Sequence, residues 1–185
     1  MSSEIQLVAL KCTQCGEPLT AKLRDIVLYC KGCGSGYEVH RQQPLSKVNV
    51  YFARLNRNAQ EFHCFWAFDG TLVDSKREAK GGFFKNPKGL MTLFEQRPIL
   101  RLYVSAELRD LSTNDPLGLQ LTRDQPELEF LHPQAELPRP EISQEDARKI
   151  ADFLLITSEA GQKDSLRSLE YKLQLNNPML MALAL

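Results

Sequence analysis

The chain has 185 residues, equal numbers of basic and acidic side chains, 43% hydrophobic and 25% charged residues. That composition belongs to a folded globular protein and argues against a disordered or fibrous one. A formal net charge of zero excludes a global field that would draw the protein to nucleic acid or to an anionic membrane. The charge is uneven, however: residues 76–101 hold seven basic and two acidic groups, and residues 107–164 hold thirteen acidic and six basic. Such blocks suit solvated faces, and could also steer a charged partner. The N-terminus is polar, with no long apolar run behind it, and reads as lacking a secretory signal. No window approaches the ~20 apolar residues of a membrane span.

Residues 5–11 form a short apolar run, read as a strand. It feeds Cys12-Thr-Gln-Cys15-Gly, and fourteen residues then separate Cys15 from Cys30-Lys-Gly-Cys33-Gly. Four cysteines at this spacing suit one tetrahedral Zn2+, with Cys12, Cys15, Cys30 and Cys33 as thiolate ligands. Gly16 and Gly34 supply the positive φ that each knuckle turn needs. Pro18 breaks helix, and Ile26, Val27, Leu28 and Tyr29 favour strand, so the spacer reads as a β-hairpin. Gly36 to His40 alternates like a closing strand. Two disulfides or a redox Cys-x-x-Cys are the alternatives, the second needing a βαβ context that the sequence lacks. A four-cysteine site is already closed, so His40 and His63 are not needed as ligands. Cys64 is left over in an apolar run, and a buried free thiol fits a reducing cytoplasm.

The segments 10–19 and 27–37, with their paired Cys-x-x-Cys-Gly knuckles, resemble the small zinc ribbons of the Trm112-like kind. The resemblance covers the first 45 or so residues and implies a partner-binding, adaptor role. The expected organisation is a ribbon over residues 1–45 and a β-rich domain over 46–185.

Within that second part, Val48, Val50 and Phe52 alternate with Asn49, Tyr51 and Ala53, which marks a strand. The polar stretch 56–61 then reads as a turn, and residues 62–68 as the second arm of a hairpin. Asp69-Gly70 is a further turn signal, with residues 71–73 continuing the meander. Residues 68–75 also resemble the first motif of haloacid-dehalogenase-type phosphatases. That motif needs a nucleophilic aspartate where this chain has Ala67, leaving Asp69 alone, and alanine cannot form a phosphoryl intermediate.

Residues 76–89 read as a basic, glycine-rich loop. Lys80, Lys85 and Lys88 could contact phosphates, and Phe83 and Phe84 could stack on a base or tuck into the core. Residues 98–105 form a strand with Leu100, Leu102 and Val104 on one face. The Asn-Asp-Pro and Gly of residues 108–121 read as a turn-rich connection, with short strands around Leu119, Leu121, Leu128 and Phe130. Prolines at 126, 133, 138 and 140 make residues 124–142 an extended linker over the surface. Ser143 and Asp146 open an amphipathic helix over residues 143–160, with Ala147, Ile150, Ala151, Leu154 and Leu155 on one face and Gly161 as its stop. Residues 169–175 alternate as a half-buried strand. Residues 178–185 are apolar without charge, and read as a last core strand or a docking segment.

The expected fold is thus α+β: a zinc ribbon, a mainly antiparallel β domain and one C-terminal helix. No Gly-x-Ser-x-Gly, His-Glu-x-x-His or Gly-x-Gly-x-x-Gly motif is present. The expected function is a non-catalytic adaptor or accessory subunit of a cytoplasmic protein complex. Nucleic-acid binding through the basic loop, with Lys22, Arg24 and Lys31 of the ribbon, is the alternative.

Overall fold

The apolar residues that end the chain form the centre of a sheet. The computed structural model describes residues 10–40, 44–80, 89–112, 116–134, 136–162 and 165–185. Among them, seven strands form one open sheet and four helices pack around it. The strands are β1 (Val27–Tyr29), β2 (Gly36–Glu38), β3 (Ser46–Arg54), β4 (Phe62–Lys80), β5 (Leu100–Ser105), β6 (Glu129–Leu131) and β7 (Ser165–Ala184). The helices are α1 (Leu90–Gln96), α2 (Leu108–Leu111), α3 (Leu117–Asp124) and α4 (Gln144–Ala160). The sheet order is β1-β2-β3-β7-β4-β5, with β6 pairing β3 beside β2. Only the β3–β7 pair is parallel among the described strands.

Residues 180–184 of β7 are buried on both faces, which is why they read as an unbroken apolar run. One face packs Trp66, Phe68, Leu102 and Leu180 against Ala147, Ala151, Leu154 and Leu155 of α4. The other groups Phe65, Ala67, Met181 and Leu183 with Ala53, Tyr103 and Leu121. Helix α4 begins as its sequence predicts: Ser143 Oγ accepts the Asp146 N–H at 3.1 Å, and Glu145 and Asp146 complement the helix dipole.

Several expectations are corrected. The strands on either side of residues 56–61 do not pair with each other, because β7 lies between them. Asp69-Gly70 is not a turn. Strand β4 runs through it and pairs with β7 from Phe62 to Lys80, with register shifts at Ala67/Asp69, Val73/Lys76 and Glu78/Ala79. The bulges absorb the misfit that the turn residues signalled. Residues 76–80 are therefore strand, while Phe83, Phe84, Lys85 and Lys88 lie outside the described residues, as does the strand expected before Leu10. Helices α2 and α3 occupy Leu108–Leu111 and Leu117–Asp124, in place of the short strands expected around Leu119 and Leu121, while the strand expected around Phe130 is β6. The proline segment 124–142 contributes β6 to the sheet, and the Ile142 carbonyl accepts the buried Trp66 indole N–H at 2.8 Å.

The glycine that suggested a turn in that stretch serves a close approach. A Cβ on Gly118 would stand 2.6 Å from the Tyr103 carbonyl oxygen. Alanine would gain ~1 kcal/mol of helix propensity, but the backbone clash costs about 2–3 kcal/mol in an element that cannot move freely. Gly118→Ala is therefore expected to lower stability by about 1–2 kcal/mol in chemical denaturation, rather than raise it.

Candidate metal centre

Each cysteine pair sits at the tip of its own short hairpin. In the first, Lys11 bridges Pro18 and the Leu19 N–H donates to the Leu10 carbonyl at 2.8 Å. The second is β1 and β2. The hairpin expected within the spacer is thus replaced by one around each knuckle, joined through a turn where Lys22 N–H donates to the Asp25 carboxylate at 2.6 Å.

The two knuckles have the same backbone pattern. Cys12 N–H donates to Glu17 O at 2.8 Å and Gly16 N–H to Cys12 O at 2.9 Å. Cys30 N–H donates to Ser35 O and Gly34 N–H to Cys30 O, both at 2.8 Å. Gly16 and Gly34 have φ of 80° and 76°, as their sequence positions require.

The four sulfurs lie within 4.8 Å of one another. Cys12 Sγ stands 3.4 Å from Cys33 Sγ, and Cys15 Sγ 3.5 Å from Cys30 Sγ, with all five cysteines as free thiols. This convergence is consistent with a zinc-ribbon-like metal site, and the four could hold a metal ion. Among the described residues, no other group of three or more ligating side chains converges in this way.

Tyr37 supports the site from behind, and the sequence pattern gave it no special role. Buried under the first knuckle, its hydroxyl lies 3.2 Å from Cys12 Sγ and 3.0 Å from Thr13 Oγ1, and accepts the Thr13 N–H at 3.0 Å. Burial opposes ionisation of Cys12, but the Tyr37 hydroxyl and the Cys15 and Gln14 amides outweigh it, and its thiol is held down to about 5. Cys15 is pushed up to about 12: the Glu17 amide favours its thiolate, but burial and the three neighbouring sulfurs oppose it. Ser35 and its amide lower Cys33.

The other candidates stand elsewhere. His40 Nε2 lies 2.7 Å from Ser46 Oγ, and His63 Nδ1 3.3 Å from the Glu107 carboxylate. Cys64 is buried with its thiol donating to the Pro138 carbonyl, and burial together with the Glu107 charge raises its pKa. Asp69 is engaged by Arg101 at 2.8 Å and Asn177 at 2.9 Å. Lys22, Arg24 and Lys31 are exposed around the cysteine site, and Lys80 is exposed at the end of β4.

The proline segment crosses the second knuckle. A Cβ on Gly34 would meet Pro133 at 2.9 Å, and Tyr29 donates its hydroxyl proton to the Gln134 carbonyl at 2.8 Å. From the other side, the buried Glu38 of β2 accepts the Gln144 N–H at 2.8 Å, at the start of α4. The cysteine site is thus fastened to the sheet, the helix and the proline segment.

Comparison with protein-family models, with curated proteins and with solved structures gives no match for this chain.

Two outcomes follow for a metal held here. Cys30→Ser is expected to lower metal content in the purified protein while the Trp66 environment, read by near-ultraviolet circular dichroism, persists. Tyr37→Phe keeps the ring and removes the hydroxyl beside Cys12, so metal affinity measured against a competing chelator is expected to fall by about tenfold.

Proposed function

We propose that the chain is a non-catalytic adaptor or accessory subunit of a cytoplasmic protein complex, with one structural Zn2+ in its N-terminal ribbon. The observation that supports it most is the closed donor set. Four cysteine sulfurs converge within 4.8 Å and leave a tetrahedral ion no open position for substrate or water. Four thiolates with no imidazole or carboxylate favour zinc over harder divalent ions. In this reading residues 1–45 are the ribbon and residues 46–185 the platform that holds it. The resemblance to Trm112-like ribbons supports a partner-binding role. The buried thiol of Cys64 and the four reduced cysteines suit the cytoplasm. No helix among the described residues is long and apolar enough to cross a membrane.

A second reading, binding of single-stranded nucleic acid, is favoured by one observation. Tyr51 and Phe130, 42% and 57% exposed, make an edge-to-face pair with centroids 6.1 Å apart on an open part of the sheet. Lys47 stands on the same strand and face as Tyr51, whereas Arg54 lies on the opposite face and is paired with Glu129. Exposed rings beside cations suit stacked bases and their phosphates. Lys22, Arg24, Lys31 and Lys80 would add to that field.

Affinity capture on the zinc-loaded full chain, washed at low and high salt, separates the two. The adaptor reading expects a stoichiometric protein that survives high salt and is lost with Cys30→Ser. Recovery of nucleic acid that washes away with salt would favour the second reading, because phosphate contacts weaken steeply as salt rises.

A further inference from the structure

The two outer edges of the sheet are finished differently. The edge of β5 is covered by α3 and the residue after it. Thr122 Oγ1 accepts the Tyr103 N–H at 2.9 Å, and the Gln125 side chain accepts the Arg101 N–H at 3.2 Å and donates to the Arg101 carbonyl at 2.6 Å. Side chains there stand in for a neighbouring strand.

The edge of β1 has no such cover. Its register with β2 opposes Val27 to Glu38 and Tyr29 to Gly36. The flanking bonds fix the phase: Val39 N–H donates to Ile26 O, and Cys30 N–H to Ser35 O, each at 2.8 Å. In an antiparallel pair the bonded positions alternate, so the N–H and C=O groups of Val27 and Tyr29 point away from β2. Among the described residues nothing bonds to them.

Val27 and Tyr29 line a cleft of about 480 Å³ between Pro18 and Thr20 of the first hairpin and Leu137, Arg139 and Pro140 of the proline segment. That segment is tied across the cleft by side chains. Arg139 meets Asp25 at 3.3 Å, Lys31 meets Glu136 at 3.5 Å, and Tyr29 reaches the Gln134 carbonyl. No backbone bond joins it to β1 among the described residues. The segment thus borders β1 without pairing with it as a strand, and leaves the outward N–H and C=O groups of Val27 and Tyr29 without a backbone partner among the described residues.

We propose that this slot takes an extended segment of a partner protein, which joins the sheet as a strand beside β1. Donors and acceptors that recur every second residue, about 7 Å apart, match the repeat of another extended backbone. A base or a small metabolite does not carry that repeat. The segment alternates in character. Its inward side chains are apolar, to meet Val27, Leu137 and Pro140, and its outward ones are polar. The inference rests on the adaptor reading and names how the partner is held.

The test uses the full chain with zinc bound. The probe is a phage-displayed library of random peptides about twelve residues long, ample for a typical strand. Val27→Pro removes an outward N–H that the fold does not use, and an edge strand tolerates proline there. Leu137→Asp charges the proline-segment wall and leaves the β1 backbone unaltered, and serves if the proline variant, which also replaces the buried Val27 side chain, misfolds. The expected peptides alternate apolar and polar residues. They slow amide exchange at Val27 and Tyr29 by at least about tenfold, and lose binding when alternate peptide nitrogens are methylated. Leu137→Asp is expected to weaken them by about tenfold or more. Peptides that bind both variants as well as the parent, or that leave exchange at Val27 and Tyr29 unchanged, overturn the proposal. So does protection that appears without peptide and grows with protein concentration, which would assign the edge to a second copy of the chain. If the partner recovered by affinity capture binds both variants normally, the slot fails while the adaptor reading stands. Selected peptides without any captured partner would give the reverse.

Discussion

Sulfurs held as close as those of Cys12, Cys15, Cys30 and Cys33 resist becoming four thiolates together. Burial and the three neighbouring sulfurs push the Cys15 thiol up to about 12, while Cys12 is held down to about 5. A divalent cation held there would remove that conflict by displacing the remaining thiol protons, and would couple metal binding to ordering of the knuckles. The remaining features of the N-terminal part serve this convergence. The two glycines at positive φ turn the chain, the amides of each knuckle point inward, and Tyr37 supplies a hydroxyl where burial would otherwise oppose charge on Cys12.

The cysteine site is not a bead on a string. Strand β2 follows the second knuckle and pairs directly with β3, so the sheet continues from the cysteine cluster into the body of the protein. Glu38 adds a second tie, its carboxylate accepting a backbone N–H at the start of α4, where a negative charge is favoured by the helix dipole. The proline segment adds a third, through Pro133 against Gly34 and Arg139 against Asp25. The exposed ion pairs among these contribute little individually. The buried Glu38 contact and the strand pairing hold the cysteine site in a fixed orientation against the sheet.

What the sequence disclosed and what it hid divide by range. The cysteine spacing, Gly16, Gly34 and the Ser143 cap are local, and each occurs in the structure where its chemistry placed it. The closing strand at Gly36 and the strands at 46–54 and 100–105 were legible from alternation. The place of β7 was not. Its pairing with β3 and β4 joins residues 85 to 130 positions apart, and no local pattern encodes a strand inserted between two that look like a hairpin. Asp69-Gly70 misled because a turn dipeptide also suits a bulge, here fixed by Arg101 and Asn177. Gly118 misled because close packing on Tyr103, rather than a turn, requires its missing side chain. Tyr37 belongs to the site through a contact across 25 residues, which no local pattern in the sequence signals.

The central claim is that the cysteine cluster is a closed, four-sulfur zinc site around which the N-terminal part is ordered. X-ray absorption spectroscopy at the zinc edge of the purified full chain tests it most directly. The account predicts one zinc per chain with four sulfur neighbours at about 2.3 Å and no nitrogen or oxygen in the inner shell. A chain that retains no metal and carries its four cysteines as disulfides, or a zinc with light-atom ligands, would contradict it.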